Sequence, residues 1–142
     1  MPPRPGPAIR GPVARAIRDA RRLSAMQVVA ATEAAGHRIH PSTLSLIESG
    51  DRPGKPHVHT LAAALNVDPE VLTGQRPALR VLRDAAGLSA TALAAEVGVK
   101  VGDLARMESG ALLPDPHVAQ RLAARLAVPI SVIAPSDEGE AA

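Results

Sequence analysis

Among the side chains of this 142-residue chain that could do chemistry are hydroxyls, imidazoles and cations. They concentrate around one run, HRIHPSTLSLIESG, where His40 and Pro41 lead into Ser42, Thr43 and Ser45. Arg38 precedes these hydroxyls, and Arg52 and Lys55 follow. Hydroxyls donate and accept hydrogen bonds and cations attract anions, which is the chemistry of binding. No GxSxG, phosphate loop or HExxH occurs, so no enzyme is expected. His57 and His59 invite a metal reading, but residues two apart on a helix face different directions and no carboxylate cluster adjoins them. The absence of cysteine removes disulfides and thiolate ligands. Neither a metal nor a cofactor is expected.

Composition narrows the partner. The chain lacks Phe, Trp and Tyr, so its core must be built from Leu, Val, Ile, Ala and Met. That loss also removes the platforms on which single-stranded bases stack, whereas a double helix needs none. Residues 1–74 carry nine Lys/Arg against six Asp/Glu, a net +3, while residues 75–142 carry seven against eight, a net −1. The first half is therefore the better candidate for touching phosphates. No apolar run approaches a membrane span and no hydrophobic leader follows Met1, so a cytoplasmic protein with no membrane partner is expected.

Helices must position these groups. Val13, Ala16, Ile17 and Ala20 follow helical period, and Pro12 suits a first turn. Ser24 can cap a second helix with the stripe Val28, Val29 and Thr32, and Gly36 ends it. A third helix opens at His40-Pro41-Ser42 and stops at Gly50. A fourth starts at Pro56, and Asp68-Pro69 introduces a short last turn. The pattern then repeats, with helices over 79–86, 90–97, 101–109 and 116–126 and a turn at 130–133. This gives a basic, disordered arm (1–12), a first domain (13–73), a linker (74–78), a second domain (79–134) and a disordered acidic tail (135–142).

The repeat holds residue by residue. Ile17-Arg18-Asp19-Ala20 stands against Leu82-Arg83-Asp84-Ala85, and Leu23-Ser24-Ala25 against Leu88-Ser89-Ala90. Glu48-Ser49-Gly50 meets Glu108-Ser109-Gly110, and Pro56-His57-Val58 meets Pro116-His117-Val118. The first copy carries extra residues near Thr32 and His37. Such order means two copies of one folding unit.

From Leu88-Ser89 through Leu93-Ala94 and Gly98-Val99 to Met107-Glu108-Ser109-Gly110, the second copy resembles the Xre/phage-repressor-type helix-turn-helix family. The first copy departs from it by a lengthened turn, similar to members from high-GC bacteria. The resemblance implies an all-α fold of two tandem five-helix, lambda-repressor-like bundles. It implies a bacterial transcriptional regulator that binds double-stranded DNA in a sequence-specific way, associated with the nucleoid. The third helix would lie in the major groove. His40, Ser42, Thr43 and Ser45 of the first copy would then face bases, and Ser24, Arg38, Arg52 and Lys55 phosphates. Hydroxyls read bases with low stringency, so base specificity should be modest.

The second copy offers Lys100 and Arg106 at matching places, beside Asp103, which would face a polyanion, and Gly102, which has no side chain to read with. Its expected role is auxiliary DNA contact or dimerisation. The family's intradomain ion pair would join Arg18 to Glu48 and Arg83 to Glu108. A homodimer and an intrachain pseudo-dimer both stay open. The rival reading is a protein-interaction adaptor or antitoxin-like partner using degenerate repeats.

Overall fold

The computed structural model describes residues 8–134, and every regular element among them is helical. Both the acidic tail and the first seven residues of the expected arm lie outside the described residues. The chain divides into two compact units, Met1–Gln75 and Arg76–Ala142. No helix among the described residues is long and apolar enough to cross a membrane.

Unit 1 contains α1 (Gly11–Ala20), α2 (Ala25–Ala34), α3 (Pro41–Ser49), α4 (Val58–Leu65) and α5 (Pro69–Thr73). Lys55–His57 form a single 3-10 turn ahead of α4, where the sequence led us to expect α-helix from Pro56. α1 packs on α3 and α5, and α2 on α3 and α4. Their shared core holds Ile17, Val28, Ile39, Leu44, Ile47, Leu61, Leu65 and Leu72, all fully buried. Each such side chain contributes about 1.5–3 kcal/mol relative to exposure. With no aromatic ring to fill space, small residues bring helices close: Ala14 and Ala62 are as buried as the leucines.

Residues 9–12, expected in the arm, belong to the packed part of unit 1. Ile9 is buried, its N–H donates to the Pro53 carbonyl at 2.8 Å, and the Arg10 N–H donates to the Leu72 carbonyl at 2.7 Å. α1 then begins at Gly11, pressed against the C-terminal end of α3. A Cβ there would fall 2.6 Å from the Glu48 carbonyl oxygen and closer still to that of Ile47. Only glycine allows this approach. A single apolar residue in a Pro/Gly-rich stretch shows no periodicity, so its burial has no local signature.

Ser24 caps α2 in a capping box: its hydroxyl accepts from the Gln27 N–H at 3.1 Å, and the Gln27 side chain accepts from the Ser24 N–H at 2.7 Å. The connection from α2 to α3 spans residues 35–40. Thr32, buried in the apolar stripe, holds it. Its hydroxyl donates to the Val29 carbonyl at 2.6 Å and accepts from the buried Ile39 N–H at 2.9 Å. Gly50 closes α3 in the left-handed conformation (φ 87°), as Gly110 closes the helix Val101–Ser109 (φ 88°).

Unit 2 contains α6 (Leu79–Ala85), α7 (Ala90–Val97), α8 (Val101–Ser109), α9 (Pro116–Leu126) and α10 (Ile130–Ile133). Ala78, expected in the linker, is buried at the start of α6. Ser89 caps α7 by accepting from the Ala92 N–H at 3.0 Å, and Asp115 caps α9 by accepting from the Val118 N–H at 2.9 Å. Leu82, Leu93, Leu104 and Leu122 form the centre of its core. The turn between α7 and α8 is only residues 98–100, half the length of its counterpart.

Candidate nucleic-acid interface

The second and third helices of each unit are held in register by one arginine. Arg18, on α1, meets both carboxylate oxygens of Glu48 at the end of α3, at 2.7 and 2.9 Å, and donates to the Leu23 carbonyl at 3.1 Å. Arg83 does the same with Glu108, at 2.5 and 3.1 Å, and with the Leu88 carbonyl at 3.0 Å. Three connections in each case tie the first helix, the start of the second and the end of the third. The hydrogen bond to the carboxylate raises each guanidinium above its ordinary pKa, against the opposing effect of burial. These two arginines are therefore committed inside their units.

On this frame α3 presents an exposed first turn. His40 occupies the N-cap position, where Ser, Thr, Asp or Asn is usual. Its Nδ1 accepts from the Ser42 N–H at 3.3 Å and stands 2.8 Å from the Ser42 hydroxyl. A ring accepting at Nδ1 is neutral with its proton on Nε2. That leaves the Nε2–H as a donor and the Ser42 oxygen as an acceptor for other partners. The pairing gives the serine a narrower role than its sequence implied. Ser45 and Leu46 are exposed one turn on, while Thr43 is half-buried, so it is the least accessible of the hydroxyls singled out by the sequence.

Basic residues flank this turn. Arg38 is exposed in the long α2–α3 connection, and Arg52 and Lys55 are exposed between α3 and α4. The residues 40–47 include no carboxylate. Ser24 is exposed at the start of α2, with its hydroxyl oxygen accepting the capping bond.

The corresponding face of α8 differs. Lys100 stands at its N-cap position without a side-chain cap, and Val101 is 48% exposed. Nothing lies within 4 Å of where a Gly102 Cβ would be, so the helix presents an open notch. Arg106 lies 3.9 Å from Asp103 on its own helix, which offsets part of its charge. α9 braces α7 beside it, through Arg125 to Glu96 at 2.5 Å and Arg121 to the Val97 carbonyl at 3.2 Å.

Two histidines to which the sequence assigns no binding role also shape unit 1. His37, exposed in the α2–α3 connection, stacks on His57 with centroids 5.6 Å apart and ring planes at 24°. Burial pushes the His57 pKa below its ordinary value of 6.5, and the nearby His37 and Arg52 push it the same way. The two rings lie twenty residues apart in sequence, and no spacing rule joins them. Among the described residues no group of three or more His, Cys, Asp or Glu is placed to hold a metal ion.

Residues 78–134 match the family model of the helix-turn-helix domain. The match takes in α6 through α10 and lies wholly within unit 2. No curated protein and no solved structure matches the chain. A helix-turn-helix domain points to a DNA-binding regulator.

Proposed function

We propose that the chain is a sequence-specific, double-stranded DNA-binding transcriptional regulator of the Xre type with two tandem helix-turn-helix bundles. On this reading α3 of unit 1 enters the major groove. The observation that carries it is the shared brace: Arg18, Glu48 and Leu23 repeat, bond for bond, the arrangement of Arg83, Glu108 and Leu88 in the matched unit. On that common frame, α3 offers His40, Ser42 and Ser45 with no carboxylate in its first turns. Its flanking cations, Arg38, Arg52 and Lys55, suit phosphates, and Ser24 marks a helix N-terminus that also favours them. α8, with Asp103 facing Arg106 and an apolar Val101 at its start, serves as auxiliary contact or as a dimerisation surface. Lys100 and Arg106 are its backbone contacts.

Phosphate contacts release counterions, so affinity for duplex fragments falls steeply with salt, by about tenfold or more between roughly 50 and 200 mM for even a few contacts. Selecting bound fragments from random duplex DNA at low salt and then titrating salt tests this directly. A single half-site, a spaced pair or an asymmetric site separates the homodimer from the pseudo-dimer. Failure to bind any duplex at low salt, or a flat salt response, sinks the proposal and favours a protein-binding adaptor.

A further inference from the structure

Imidazoles hold the lengthened turn of unit 1 at both of its ends. Near its start, His37 stacks on His57, whose Nδ1 is buried without a hydrogen-bond partner. At its end, His40 Nδ1 accepts the Ser42 N–H, which it can do only while the ring is neutral. The charges that bear on His57 are His37 from the turn and Arg52 from the loop after α3. Lys55 and His59 sit on its own stretch of chain. Two neutral rings stack, whereas two imidazolium rings beside a guanidinium repel. The short turn of unit 2, Gly98-Val99-Lys100, has no imidazole.

We infer that the α2–α3 turn of unit 1 is an acid-sensitive latch. The half-buried His57 ring, neutral and stacked on His37, holds the turn that leads into α3, and protonation of His57 releases it. The sign follows from linkage. A histidine held below its unfolded value adds stability that is present above that value and is lost as pH falls through the lower folded value. Acid therefore loosens the start of α3 in unit 1 and leaves α8 in place. The consequence for duplex binding rests on the proposed function; the latch itself does not.

The full chain without DNA provides the test, by amide hydrogen exchange and imidazole NMR between about pH 7.5 and 5.5, the range in which histidine titrates. The reporter is the Ile39 N–H, bonded to Thr32 inside the turn, and the control is the Val99 N–H, bonded to the Ala94 carbonyl at 3.0 Å. After correction for intrinsic exchange, Ile39 protection drops by about tenfold, or about 1.4 kcal/mol of opening free energy, and Val99 protection stays within about twofold. In His57→Gln, and separately in His37→Gln, the drop at Ile39 shrinks to the control level. A flat Ile39 response in the natural chain overturns the latch, as does a drop that persists in both variants. Since no duplex enters the measurement, failure to bind DNA sinks the proposed function alone.

Discussion

Arg18 and Glu48 form a two-pronged ion pair whose third arm, Arg18 to the Leu23 carbonyl, fixes where α2 begins relative to where α3 ends. Only 14% of the arginine side chain and 9% of the glutamate side chain are exposed. Removing one partner of such a pair leaves the other charge without compensation. Glu48→Ala should cost about 3 kcal/mol in urea unfolding, and the double change Arg18→Met with Glu48→Leu clearly less. A loss under about 1 kcal/mol for Glu48→Ala would class the pair with exposed ones and remove its role as a brace.

Thr32 is the polar residue in an apolar stripe, and the long turn depends on its hydroxyl. Thr32→Val keeps the shape and leaves the Ile39 N–H buried without an acceptor, a change that costs about 1–3 kcal/mol. Thr32→Ser retains the acceptor, and Ile39 should stay protected from exchange in that variant although it loses a methyl group. Equal exposure of Ile39 in both variants would show that packing, and not the hydrogen bond, holds the turn.

The fold was most legible where signals are local. Helical period, the caps Ser24 and Ser89, the stops Gly50, Gly98 and Gly110, and the prolines at 41 and 116 mark elements that stand where those signals lie. What stayed hidden depends on contacts across the chain. Ile9 is buried beside the loop after α3, the closeness at Gly11 is set by the Ile47 and Glu48 carbonyls, and His37 finds His57 only once unit 1 has folded. The candidate site divides the same way. Its residue types were readable, but the pairing of His40 with Ser42, which redistributes donors and acceptors, follows from cap geometry.

Ser42 and Gly102 occupy the same position, the second residue of the third helix, in their respective units. Glutamate there is compatible with folding in both. Negative charge in a first turn is favourable, and replacing Gly102 also removes a helix penalty of up to about 1 kcal/mol, in open space. The two variants therefore differ in what their new carboxylate meets. If α3 is the reading helix, Ser42→Glu sets a charge against the duplex and weakens binding by at least about tenfold, or about 1.4 kcal/mol. Gly102→Glu should change affinity by less than about threefold in the same gel-shift titration. Equal losses would make α8 a co-reader, and a larger loss at Gly102 would move the reading surface to unit 2, the part of the chain that matches the helix-turn-helix domain.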